Sequence, residues 1–222
     1  APLIAQYGEQ FRSPRWRLSN IYTVVDKSGT KMPFRPNAEQ LDFIVNMSER
    51  NVILKARQLG MTTVSCLIYL DDCLWRPDTR ATIVAHKLDE AQEIFRSKIK
   101  GPYLDLPPLL RRAAPLLRDN ETTLEFANGS VIRVSLSARS GTVQWLHVSE
   151  YGKMCAVYPN KAKEVRTGSF PAAEQGVITI ESTAEGNEGD FFNKCNDAQL
   201  SAASGDELTR LDYKFFFYSW IG

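Results

Sequence analysis

Residues 55–62 read Lys-Ala-Arg-Gln-Leu-Gly-Met-Thr, between an apolar run at 52–54 and a segment with apolar residues at helical spacing. The octet has the length of the phosphate-cradling pattern GxxxxGK[ST] and keeps its second glycine as Gly60 and its hydroxyl as Thr62. It departs at two positions: Met61 stands where the pattern has lysine, and Lys55 where it opens on glycine. Backbone N–H groups of such a loop, with the helix N-terminus behind it, supply most of an anion cradle. A cation need only reach the terminal phosphates, and the start of the loop lies near its end in such a turn. Lys55 can therefore serve from the near edge. Arg57 offers a second charge, with a fork that fits phosphate oxygens. Thr62 would place its hydroxyl on Mg²⁺ and Met61 would cover the site. Ala56, Gln58, Leu59, Gly60 and Thr63 complete the predicted cradle. A plain strand–turn–helix corner with a solvated Lys55 accounts for the octet as well, so the rest of the chain has to decide.

A second polar pair, Ser149-Glu150, ends the apolar run at 143–148. In nucleotide hydrolases with this kind of loop, the strand expected beside the loop strand ends in Asp-Glu. The aspartate holds the Mg²⁺ shell, and the glutamate orients and polarises the attacking water. Here Glu150 keeps the catalytic role, while Ser149 can reach a metal-bound water but brings no charge, which predicts weaker metal binding. A third polar end follows the run at 177–180, where Ser182, Thr183 and Ala184 could sense a terminal phosphate and pass its loss onward. Taken alone, that stretch reads equally as an ordinary strand-to-loop transition.

The elements around these residues alternate between strand and helix. Pro36 precedes a helical pattern carrying Leu41, Ile44, Val45 and Ser48. A strand over 51–54 leads into the loop, and a helix from Thr62 ends before Pro77. A buried strand at 81–85 precedes a helix containing residues 90–100. The proline-broken stretch at 102–117 predicts short helical pieces. Residues 122–134 predict a hairpin turning at Asn128-Gly129. Further strands are expected at 143–148, 176–180 and 212–220, and residues 1–35 read as irregular. The pattern predicts an α/β fold with a mostly parallel central sheet flanked by helices, in one domain over 1–222.

Composition narrows the classes. The 222 residues are 43% hydrophobic and 24% charged, with a net charge of +1, so no overall basic field marks a nucleic-acid binder. Cys66, Cys73, Cys155 and Cys195 form no CxxC pair and read as reduced intracellular thiols; with only His86 and His147 available, a zinc site is not expected. No apolar run reaches membrane-spanning length, and the first residues carry no signal-peptide pattern, so the expected location is cytoplasmic.

In order, the segments FRPNAEQ, KARQLGMTT, WLHVSE and ITIESTAEGNEGDFF resemble the N-terminal packaging ATPase domain of the large terminase subunit of tailed bacteriophages, over about residues 34–195. The resemblance implies a P-loop NTPase of the ASCE type that uses ATP and Mg²⁺ to drive double-stranded viral DNA into a procapsid. It implies a homo-oligomeric ring, portal and small terminase subunit partners, no membrane, and the host cytoplasm as location. The family includes loops with the lysine at the first position, which supports Lys55 as the phosphate lysine. By the same resemblance Gln40 would recognise adenine, Thr62 would ligate Mg²⁺ and Glu150 would be the catalytic carboxylate. Ser182, Thr183 and Ala184 would couple hydrolysis to DNA movement. Arg139 matches a position where the family can carry an arginine finger, with Arg57 competing for that role. Ser149 departs from the family's aspartate. The family also continues into a nuclease domain with clustered acidic metal ligands; no such cluster occurs by Gly222, so no nuclease activity is assigned to these residues.

Three basic groups are candidate DNA contacts: Arg12, Arg15 and Arg17; Arg111, Arg112 and Arg118; and Lys161, Lys163 and Arg166. Surface charge runs are more often solvated faces. A motor needs only weak, sequence-blind backbone contacts. Two other readings stay open. One is a helicase-like DNA-dependent ATPase, whose strand-separating motifs are not found. The other is a degenerate nucleotide-binding scaffold, motivated by Met61 and Ser149.

Overall fold

A computed structural model describes residues 2–138, 141–205 and 207–219. An eight-stranded sheet forms its centre, in the order β10 (Lys214–Tyr218), β3 (Arg50–Lys55), β9 (Val177–Ser182), β8 (Trp145–Ser149), β4 (Arg80–Val84), β7 (Val131–Ser135), β6 (Thr123–Phe126) and β5 (Leu116–Asp119), beside a separate pair of β1 (Thr23–Val25) and β2 (Lys31–Pro33). Strands β10 through β7 in that order run parallel, and β6 and β5 add an antiparallel margin.

The chain opens with α1 (Pro2–Tyr7), a 3₁₀ turn (Glu9–Arg12) and α2 (Pro14–Asn20), then β1 (Thr23–Val25) and β2 (Lys31–Pro33). The irregular segment expected over 1–35 is thus replaced by short helices and a hairpin. They are too short to show a period, but each has local cause: Ser13 accepts a hydrogen bond from Trp16 N, and Pro14 opens the helix. Asp26 accepts from Ser28 N and Thr30 N in the β1–β2 turn. The segment is fastened by Arg17, which donates to Asp71 at 2.6–3.1 Å, while Tyr22 Oη donates to the same carboxylate at 2.7 Å.

Next come α3 (Ala38–Asn46), β3 (Arg50–Lys55), α4 (Met61–Trp75), β4 (Arg80–Val84) and α5 (Leu88–Phe95). A wider π turn (Arg96–Lys100) continues α5 into α6 (Gly101–Leu104), followed by α7 (Pro108–Ala113). An unexpected strand, β5 (Leu116–Asp119), pairs with β6 (Thr123–Phe126), and β6 turns through Asn128-Gly129 into β7 (Val131–Ser135), as the Asn-Gly signal predicts. The remainder is β8 (Trp145–Ser149), α8 (Tyr151–Val157), α9 (Pro159–Glu164), a second π turn (Val165–Ser169), α10 (Phe170–Ala172), β9 (Val177–Ser182), α11 (Gly189–Ser204) and β10 (Lys214–Tyr218).

Successive residues of the central strands feed opposite faces, as the two-residue repeat of a strand requires. Ile53 joins a core with Val64, Leu67 and Tyr69 of α4, whereas Val52 joins Val148, Ile180 and Phe191 on the other face. A sheet covered on both sides explains why its inner strands read as nearly unbroken apolar runs.

Two differences from the sequence reading matter for chemistry. The Ser149-Glu150 strand does not lie beside the loop strand: β9 stands between β3 and β8. In addition, β9 runs two residues beyond the expected end at Ile180, which takes Glu181 and Ser182 into the sheet, both fully buried.

Candidate active site

Lys55 ends β3, and the loop after it turns into α4 through two left-handed residues, Gln58 (φ 66°) and Gly60 (φ 71°). No side chain caps the start of α4. The first N–H groups of a 15-residue helix therefore point into the loop unclaimed by a cap, as an anion site needs. Glu150 also lies in the left-handed region, at φ 53°, between β8 and α8. Of the three non-glycine residues with positive φ among those described, two, Gln58 and Glu150, line the same cleft. Backbone strain of this kind gathers at functional sites because the surrounding structure has to hold it.

The loop is clamped from the side by α3. Asn37 and Gln40 form a reciprocal capping box, and Gln40 Nε2 donates to the carbonyls of Leu59 (3.2 Å) and Gly60 (3.1 Å). Gln40 Oε1 accepts from Asn37 N at 3.1 Å. The carboxamide is thus spent on the loop, and a contact with adenine would compete with one of these bonds. A methyl at Gly60 would meet Gln40 Nε2 at 2.5 Å, so this position needs glycine for close approach as well as for φ.

Met61 does not cover the cleft. Its side chain is 1% exposed and packs in the core with Val64 and Leu67, leaving only its backbone to the loop. An ammonium would be ill suited to that apolar socket.

Lys55 is 8% exposed, and its ammonium lies 3.0 Å from Glu181 Oε2 and 3.3 Å from Glu150 Oε1. Burial works against its charge, but Glu181 and then Glu150 outweigh that and hold its pKa above the usual lysine value. Glu181 is 0% exposed. Its Oε1 accepts from Thr62 Oγ1 at 2.5 Å and Ser149 Oγ at 3.1 Å, and His147 Nε2 lies 3.4 Å away. Burial raises its pKa, but His147, Lys55 and Thr62 together prevail and bring it down to about 2. Ser149 and Glu181 are register partners across β8 and β9, and Ile53 pairs with Glu181 across β3 and β9. The middle strand thus carries its carboxylate between the lysine and the hydroxyls.

An open cleft of about 560 Å³ fronts this cluster, lined by Lys55, Arg57, Gln58, Glu150, Lys153, Thr183 and Glu185. Arg57 is exposed and makes no ion pair among the described residues. Lys153, on the first turn of α8, adds a further cation to the cleft wall that its place in the sequence did not single out. Arg139 lies outside the described residues. Ser182 packs against Gly152 of α8, where a methyl would approach Ser182 Oγ to 2.8 Å. Thr183 Oγ1 lies 3.3 Å from Glu185 Oε1, and Ala184 is exposed.

Two solved structures share this architecture. The ATPase domain of the large terminase of Thermus phage P74-26 superposes with a TM-score of 0.59 at 15% identity, covering 83% of this chain and 81% of that one. The bacteriophage HK97 large terminase gives 0.63 at 16% identity, covering 90% of this chain. The chain has the fold of a phage large-terminase ATPase domain. At these identities the likeness is one of fold, and the chain spans 42% of the HK97 protein. No protein-family model matches the sequence, and no curated protein matches it significantly. Among the described residues no helix is long and apolar enough to cross a membrane, and no group of three or more His, Cys, Asp or Glu is arranged to hold a metal.

Besides Lys153, Glu181 and His147 were not read as site residues from sequence. The available signal was an acidic residue continuing an alternating apolar run, Val-Ile-Thr-Ile-Glu-Ser. A glutamate at a core-facing strand position requires a charge partner.

Proposed function

We propose that this chain is an ATP-hydrolysing motor domain of the large-terminase kind, driving double-stranded DNA into a viral procapsid as one subunit of a ring. The observation that carries this reading is the ammonium of Lys55 held at the mouth of an uncapped helix N-terminus, 3.3 Å from Glu150. The terminase ATPase fold supports it.

In this reading the loop amides of 56–62 and the N-terminus of α4 hold the phosphates, with Lys55 and Arg57 supplying positive charge. Thr62 and Ser149 would present hydroxyl oxygens to a Mg²⁺ ion. Oxygen donors of this kind suit a hard divalent cation. When bound, Mg²⁺ would neutralise phosphate charge and orient the terminal group. Glu150, at the cleft wall, orients a water and takes its proton. Arg57 or Arg139 stabilises the charge that develops on the transferred group. Ser182, Thr183 and Ala184 lead from the buried cluster into the cleft wall, a path for relaying loss of a phosphate. DNA, portal, small-subunit and nuclease-domain contacts belong to the same proposal.

ATP turnover and nucleotide binding test it, with DNA present and absent. Glu150→Gln is expected to lower turnover by about 10²–10⁴-fold while binding stays within a few-fold of wild type. Lys55→Ala is expected to weaken binding itself. Wild-type protein that binds nucleotide yet hydrolyses none under any Mg²⁺ or DNA condition would instead establish the scaffold reading.

A further inference from the structure

We infer that Glu181, on β9, supplies the carboxylate of the divalent-cation shell that position 149 lacks. This rests on the nucleotide-hydrolase reading above and adds to it the residue that replaces the missing acid.

The strand order makes this possible. Because β9 is inserted between β3 and β8, a side chain on its α4-facing side reaches both Thr62 and Ser149. Glutamate is one methylene longer than aspartate, and from the middle strand it spans that distance: a single oxygen, Oε1, accepts from both hydroxyls at 2.5 and 3.1 Å. A carboxylate in hydrogen-bond contact with the loop threonine is the relationship an aspartate at 149 would otherwise provide. The second oxygen, Oε2, is buried and has no hydrogen bond; the Lys55 ammonium faces it at 3.0 Å. A fully buried carboxylate is costly to maintain, and Glu181 is 0% exposed.

A buried carboxylate needs donors on both oxygens, and Oε1 has His147 Nε2 at 3.4 Å as well as the two hydroxyls. What points to a cation is which hydroxyls these are: one from the helix start behind the loop, one from position 149, so that three oxygens from three elements meet at one point.

The test measures binding of a fluorescent ATP analogue by the full chain, with EDTA and across a Mn²⁺ titration, together with Mn²⁺ retention by electron paramagnetic resonance. In wild type, Mn²⁺ is expected to tighten binding. In Glu181→Gln, the Mn²⁺ required for half-maximal effect is expected to rise at least tenfold, and binding is expected to fall further below wild type in Mn²⁺ than in EDTA. Ser149→Asp added to Glu181→Gln is expected to restore Mn²⁺ retention. An unchanged Mn²⁺ dependence in Glu181→Gln overturns the inference, as does equal loss of binding in EDTA and Mn²⁺, which marks a structural partner of Lys55. Wild type that binds no nucleotide defeats the proposed function instead. Should Glu181→Gln fail to fold, iron-mediated backbone cleavage of wild type with nucleotide decides. Scission beside residue 181 supports the inference, and scission confined to residues near 62 and 150 overturns it.

Discussion

Lys55 Nζ lies 3.0 Å from Glu181 Oε2, and both side chains are buried. Removing one member of such a pair leaves an uncompensated charge, at a cost of about 3–5 kcal/mol. Lys55→Met is therefore expected to lower unfolding stability by that order. Adding Glu181→Gln to Lys55→Met is expected to recover most of the loss. Urea denaturation of the two variants checks both values, and a double variant no more stable than Lys55→Met alone would contradict the pairing.

Gln40 holds two loop carbonyls and closes the cap of α3. Gln40→Ala is expected to cost about 1–3 kcal/mol, since it leaves two half-buried loop carbonyls without a donor and removes half of the capping box. It should also loosen the loop. Trypsin is expected to cut after the exposed Arg57 several-fold faster in the variant, as read by mass spectrometry. An unaltered cleavage rate would mean that the loop holds its shape without α3.

A buried ion pair ties the N-terminal helices to α4. Arg17 is tied to Asp71 of α4 at 2.6 Å, with Tyr22 on the same carboxylate at 2.7 Å. Asp71→Ala leaves a guanidinium buried and is expected to destabilise the chain by about 3–5 kcal/mol, and Tyr22→Phe by about 1 kcal/mol. Since α4 begins at the proposed phosphate loop, Asp71→Ala should also weaken nucleotide binding more than Tyr22→Phe does. Paired denaturation and binding curves measure both effects.

Burial pushes the thiols of Cys66 and Cys195 up to about 12, and raises those of Cys73 and Cys155 as well. A raised thiol pKa keeps the reactive thiolate scarce until the pH climbs toward it. At pH 9 Cys66 would be only about 0.1% ionised, against a majority for a free cysteine. Iodoacetamide at pH 8–9 is expected to leave Cys66, Cys73 and Cys195 largely unmodified in the native protein, with Cys155, only half-buried, reacting first. All four should label rapidly in denaturant. Fast native labelling of Cys66 would contradict the packing under α4.

The sequence carried the local features plainly. A strand, a loop ending on Gly60 and a helix start are adjacent in the chain, and so is the Asn128-Gly129 hairpin, because each is set by neighbours a few residues apart. Strand order is different. Nothing between residues 50 and 182 says that β9 slots beside β3, and without that insertion Glu181 is only an acid at the end of an apolar run. Likewise Arg17 reads as part of a basic cluster until the fold brings Asp71 to it from 54 residues away. Met61 was legible as a departure from the motif, but not as a core residue, since helical direction decides which way its side chain turns. The two π turns at Arg96–Lys100 and Val165–Ser169 leave no mark in a 3.6-residue pattern.

β9 is bonded to a neighbour along each edge, to β3 on one side and β8 on the other. Glu181 therefore cannot slide along its strand without tearing two ladders at once. The stretch at 183–188 that follows is laced to neither neighbour. A post held on both sides with an unpaired segment after it has a mechanical consequence: if the proposed loss of a phosphate moves anything here, residues 183–188 can shift while Glu181 stays in place.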